Sequence, residues 1–200
     1  MVRYLFCSLI KNSKGYLYNF LYEKYKSKAI IYLNMSENWP ITEEGVLVLR
    51  KKYGVFDFKK LYKLGKKWAE DNKYTWHEKL YTDKVSSLGH EVEVEWEFTK
   101  KFSAFVKFEI EVKTWILRMN PVKADNKNLE KGEVEITIKA EMQMDYRKNW
   151  EKNAFVKFLR HVYIYYVKKR YFEKVVAGSL WVETYNLQDK IKEILEQFTR

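Results

Sequence analysis

Between His90 and Tyr146 long stretches of the chain alternate apolar and polar residues. Successive side chains of a strand point to opposite faces, so this period predicts strands with one face on a core and one in water. Four are expected: 74–84, 90–98, 102 to about 118, and 133–146. In the third, Val106, Phe108, Ile110 and Val112 share a face with Phe102; in the fourth, Val134, Ile136, Ile138 and Met142 do the same. The links read as turns: "VSSLG" at 85–89, "TKK" at 99–101 and a polar tip, "ADNKN", at 124–128. Together they predict an antiparallel meander.

Helices are expected around it. The β-branched run "GVLVLRKKYG", 45–54, reads as a further strand, and Asp57 then caps a helix through about Asn72. Phe58, Leu61, Leu64, Gly65 and Trp68 form its apolar stripe. After the sheet, 153–177 carries two stripes, one with Phe155, Phe158, Leu159 and Tyr166, the other with Val156, Tyr163, Val167 and Tyr171. Gly178 reads as its left-handed C-cap. A last helix, 179–198, has one stripe through Leu180, Thr184, Leu187, Ile191 and Leu195. The expected fold class is α+β, in the order β-α-β-β-β-β-α-α, with one sheet face covered by long C-terminal helices. The two-stripe helix is expected on the sheet, with the last helix against it.

The supply of aromatic residues, 16 Tyr, 12 Phe and 7 Trp, suits a large core. Composition shifts near Met35: residues 1–34 hold six basic residues and one acidic, whereas the rest holds 32 and 26. Two readings of 1–34 follow, a basic N-terminal arm or an upstream segment ahead of a start at Met35. Residues 35–200 are expected to be one α+β domain. The lone cysteine, Cys7, allows no intrachain disulfide and no cysteine zinc site, which fits a reducing, cytoplasmic setting. No apolar run reaches the roughly 20 residues of a membrane span.

"HEVEVEWEF", 90–98, sets Glu91, Glu93, Glu95 and Glu97 on one strand face. Val92, Val94, Trp96 and Phe98 take the core side, so the glutamates should be solvated and paired with lysines across the strands, Glu95 with Lys79 and Glu93 with Lys107. The same register sets His77 opposite Glu97 and sends Glu78 to the core side, opposite Trp96. A carboxylate there is costly unless hydrogen-bonded, which makes Glu78 a candidate buried acid. His77, His90 and His161 show no zinc spacing, and no metal site is expected.

The stretch "HVYIYYVKKRYFEK", 161–174, interleaves rings and bases, a composition suited to single-stranded nucleic acid. The opposing reading buries Tyr163 and Tyr166 in the core and leaves Lys168, Lys169 and Arg170 as ordinary helix-end bases. No phosphate loop, dinucleotide fingerprint or nucleophile elbow is present, so no catalytic residue and no cofactor is implied. The leading expectation is a non-enzymatic binding module for RNA or single-stranded DNA, or for an acidic protein surface, through Arg160, Lys168, Lys169 and Arg170. Two alternatives stand beside it: a carrier of a hydrophobic ligand between sheet and C-terminal helix, and an enzyme using Glu78 with His77.

Overall fold

The structure is a computed structural model that describes residues 38–41, 46–124 and 127–196. The boundary read near Met35, and both readings of residues 1–34, lie outside the described residues. The fold is the α+β arrangement expected: an antiparallel sheet of six strands with helices on one face. The strands are β1 (Asn38–Pro40), β2 (Leu47–Phe56), β3 (Thr75–Ser86), β4 (Gly89–Lys101), β5 (Val106–Ala124) and β6 (Lys127–Met144). The last four form the meander 3-4-5-6, and β1 and β2 both pair with β6, along different parts of its length. The strand read at 45–54 thus lies at the opposite edge from β3. Helix α1 (Phe58–Asp71) makes the crossing between them over the inner face.

Local chemistry starts α1 where the sequence says it should. Asp57 accepts a bond from the Lys60 amide at 2.9 Å, satisfying one orphan donor of the first turn. Leu61, Gly65 and Trp68 then face the sheet. A Cβ on Gly65 would stand 3.1 Å from the Trp96 ring, and Trp68 meets Phe98 edge-on at 5.5 Å. Glycine is what lets the helix approach this close.

Two hairpins depart from the expected register. The β3–β4 loop has two residues, Ser87 and Leu88, not five, so Val85 faces His90. A bulge at Lys79 takes up the difference, and Glu78 still falls opposite Trp96 and His77 opposite Glu97. At the other end β4 runs on through Lys101, and the turn is 102–105 rather than 99–101. The Ser103 hydroxyl makes this turn by accepting from the amides of Phe105 (3.2 Å) and Val106 (3.0 Å). Glu93 therefore faces Trp115, not Lys107.

The C-terminal region reverses the expected layering. From Asn153, which caps through its side chain, the chain forms α2 (Ala154–Val162), a wide π turn (Tyr163–Val167), α3 (Lys169–Tyr171), a second π turn (Phe172–Val176) and α4 (Ala177–Glu196). It is α4 that lies on the sheet, burying Leu180, Thr184, Leu187, Ile191 and Leu195. Each fully buried leucine or isoleucine contributes about 1.5–3 kcal/mol. Of the segment 154–176 only Ile164, Phe172 and Val176 are buried. The physical reason is phase. Each π turn closes with an i to i−5 bond, Lys168 to Tyr163 and Ala177 to Phe172, which breaks the 3.6-residue rhythm on which both stripes were drawn. Gly178 does not end a helix either; α4 runs straight through it.

The last helix is tied down at both ends. Glu183 accepts from Tyr74 (2.5 Å) and Lys100 (2.6 Å), and Asn186 accepts from the Trp68 indole at 3.1 Å. Burial, then the Glu183 bond, pushes the Tyr74 phenol far above its usual range. Near the other end Lys51 donates to the Leu195 carbonyl, a favourable place for a cation.

Candidate functional site

Segment 154–167 stands at the end of the sheet. It is held by Tyr163, which packs on Phe105 (5.9 Å) and Trp150 (5.8 Å), and by Tyr165, which meets Trp39 at 5.6 Å. Its other side is open. Phe155 is 67% exposed, Phe158 60% and Tyr166 77%, with Leu159 and Val167 beside them. Tyr163 was expected inside and is half-buried in an aromatic cluster; Tyr166 was expected inside and is not.

The basic residues divide. Arg160 points inward, to Asp145 at 3.4 Å and Glu151 at 3.7 Å, and is 18% exposed at its side chain. Lys168, Lys169 and Arg170 are exposed at the kink between the two π turns. Lys168 lies 5.9 Å from the Tyr171 ring centroid, and Lys169 makes a loose pair with Glu173 at 3.7 Å. His161 stacks on Tyr165 at 4.5 Å; burial, then the Arg160 charge, holds its pKa below the ordinary value. The structure thus brings exposed rings and three exposed bases onto one short segment. Phe155 and Phe158 are surface residues that sequence reasoning missed. Their helical spacing is that of a core stripe, and nothing in the local sequence announces the π turns.

Glu78 is on the core side, as its register requires, and half-buried. The Tyr62 hydroxyl donates to it at 2.5 Å. The Tyr62 ring meets Trp76 (6.2 Å), Tyr81 (6.4 Å) and Trp96 (5.7 Å) nearly edge-on. The carboxylate bond, burial and nearby charge push the Tyr62 phenol up to about 12. A phenol so placed donates a hydrogen bond and does not serve as a base near neutrality. His77 is exposed on the opposite sheet face, so the structure does not bring Glu78 and His77 together.

The glutamate row is solvent-facing and paired, with partners other than those expected. Glu95 accepts from Lys113 at 2.7 Å, and Glu93 from the Trp115 indole at 2.7 Å. Lys79, lifted by the bulge, reaches Glu97 (3.0 Å) and Glu111 (2.9 Å), not Glu95. Glu97, Glu109 and Glu111 have carboxylate oxygens within 4.8 Å of one another, and the Lys79 ammonium holds two of the three. The same face has a groove of about 140 Å³ around Trp115, Leu117 and Thr82. That is below the roughly 300–1,000 Å³ of a drug-sized site.

Between sheet and α1 Trp68 meets Phe98, and a Cβ on Gly65 would already crowd the Trp96 ring; Phe102, in the turn before β5, stacks on Phe108 at 4.8 Å. No helix among the described residues is long and apolar enough to cross a membrane. The fold is that of an aromatic-rich α+β protein in which Phe155, Phe158 and Tyr166 are exposed on one segment with Lys168, Lys169 and Arg170. The chain matches no protein-family model and no curated protein sequence.

Proposed function

We propose that the protein is a non-enzymatic binding module for single-stranded nucleic acid, with the ridge 155–170 as its contact surface. The observation that carries this is Tyr166, 77% exposed beside Lys168, Lys169 and Arg170. Aromatic faces stack on unpaired bases and bases of this kind hold phosphates, whereas an exposed tyrosine has no part in a core. Phe155 and Phe158 extend the stacking surface. Lys168, Lys169 and Arg170 supply the charge; Arg160 supports the ridge from beneath through Asp145. An acidic protein surface would use the bases but leave the rings idle, which is why nucleic acid is the better match.

Fluorescence anisotropy with labelled oligo-uridine and oligo-thymidine of about 12 nucleotides tests this. Affinity should fall with salt, with a slope of about −0.7 for each phosphate contact. Replacing Lys168 and Lys169 by Glu should flatten that slope. Tyr166→Ala should weaken binding by roughly 5- to 100-fold at every salt concentration, the loss of one stacked base. Absence of binding at low salt, or binding that polyglutamate competes away while Tyr166→Ala leaves it unchanged, would remove the nucleic-acid reading.

A further inference from the structure

The outer face of the sheet is solvated, yet it carries large apolar side chains. Trp115 is 52% exposed, Leu117 44% and Val48 46%. The strand registers set Trp115 in the middle of one row that crosses the sheet. Thr82, Glu93, Trp115, Glu135 and Arg50 are successive partners on β3, β4, β5, β6 and β2. The indole N–H of Trp115 donates to Glu93 at 2.7 Å, which ties the ring toward β4 and leaves half of it in solvent. On the other side Arg50 donates twice to Glu135, at 2.9 and 3.3 Å, and has further donors free. The groove on this face opens beside the Trp115 ring. Lys84 and Glu91 line it and form no ion pair among the described residues.

A second ring is brought to this face by backbone that bulky residues rarely adopt. Tyr53 has φ 48° and Arg118 φ 54°. Both sit in bulges, at 52–53 in β2 and 118–119 in β5, which flank one stretch of β6. Gly132 of β6 makes the room, since a Cβ there would stand 2.9 Å from the Leu117 carbonyl oxygen. A bulge re-aims a side chain. Here the Arg118 guanidinium comes to 4.8 Å from the centre of the Tyr53 ring while donating to Glu133 at 2.6 Å. Left-handed backbone is costly for residues of this size, and such strain gathers at functional sites. It does not serve the core, because Tyr53 is 57% exposed.

We propose that this face binds a neutral glycan, with Trp115 as the platform for one sugar ring and Tyr53 as a second contact. β5 and β2 are two inter-strand steps apart, about 9.5 Å, so their rings can meet successive parts of an extended chain. The C–H face of a sugar ring is apolar and lies flat on an indole, while each hydroxyl both donates and accepts. The row supplies both kinds of partner: Glu93 and Glu135 accept, Arg50 donates and Thr82 does either. Charge decides against other ligands that stack on rings. Glu91, Glu93, Glu133 and Glu135 would repel the phosphates of a nucleic acid, and Lys84, Arg50 and Arg118 would repel a cation. An uncharged polyol meets neither obstacle. A groove of about 140 Å³ is too small to enclose a drug-sized ligand and suits a chain lying across the face. The site shares no residue with the ridge 155–170, so the inference stands apart from nucleic-acid binding.

Isothermal titration calorimetry of the full chain with soluble neutral polysaccharides tests the proposal, using a glucan, a xylan, a mannan and a galactan as probes. Binding to at least one is expected, with the same affinity at low and high salt. Trp115→Ala should weaken it roughly 10-fold or more, and Tyr53→Ala by less. Trp115→Phe, which keeps a ring but loses the bond to Glu93, should recover much of the affinity. Tyr166→Ala should leave glycan binding unchanged. Absence of binding to all of the probes, binding that Trp115→Ala leaves unchanged, affinity that falls with salt, or Trp115-dependent binding of polylysine in place of a glycan would each overturn the proposal.

Discussion

Arg160 and Asp145 meet at 3.4 Å beneath the turn that leaves the sheet, with Asp145 only 2% exposed. Asp145 also accepts from the amides of Asn149 and Trp150, both at 3.0 Å. Its left-handed backbone, φ 52°, is held by these bonds. The pair fixes where α2 starts and so where the ridge points. Arg160→Ala leaves a buried carboxylate with neutral donors alone and should reduce stability by about 1–3 kcal/mol. A denaturant midpoint that falls with an unchanged slope is the expected result. The salt slope for oligonucleotides should change less than with Lys168→Glu.

Tyr62 gives a pH dependence with a definite sign. Its phenol is pushed up to about 12, first by the bond to Glu78 and then by burial. A group whose folded pKa is raised lends stability that is complete below the unfolded value, about 10, and is lost as pH climbs through the folded value. Its loss should therefore fall between pH 10 and about 12. Ultraviolet titration of tyrosinate, taken as the difference between wild type and Tyr62→Phe, should show this late ionisation. Glu78→Gln should move it back toward 10.

On the outer face, two lysines that look alike in sequence should differ in effect. Lys113 makes its ion pair with Glu95, whereas Lys79 is shared by Glu97 and Glu111, beside which Glu109, paired with Lys107, also lies. Lys113→Met should cost a few tenths of a kcal/mol, the usual value of an exposed pair. Lys79→Met should cost about 1 kcal/mol, since Glu97 and Glu111 both lose the cation between them while Glu109 keeps Lys107 at 3.1 Å. Added salt screens these charges, so the difference between the variants should shrink at high ionic strength.

Gly178→Ala isolates a backbone effect. The new methyl group meets nothing within 4 Å among the described residues, so no contact there changes. The protein should gain about 0.5–1 kcal/mol, because alanine gives up less chain entropy on entering a helix. A higher thermal midpoint in calorimetry checks this.

Much of the sheet was legible because its cause is local. Residues 92–98 and 106–116 alternate, and one-sided burial permits only one facing for them. The β3–β4 hairpin shows how far that reaches. Its loop was read three residues too long, yet Glu78 and His77 landed on their true partners, because a bulge at Lys79 absorbs the difference. Face and neighbourhood came from pattern; the partner of a given glutamate did not. Glu95 takes Lys113 and Lys79 takes Glu97 because a one-residue bulge and one serine turn set the registers. Both devices act across strands that sequence distance does not order.

By itself the sequence determined the fold class, the start of α1 at Asp57, the inner face of the meander and the solvated side of the glutamate row. Each follows from period, capping chemistry or the cost of burying charge, and each is decided within a few residues. Only the tertiary structure decided which helix covers the sheet and which aromatics are left outside. Apolar stripes on 154–167 and 180–195 have equal claim to the inner face, and there is room for one. The two π turns settled the competition in favour of α4. That outcome leaves Tyr166 and Phe158 on the surface rather than in the core.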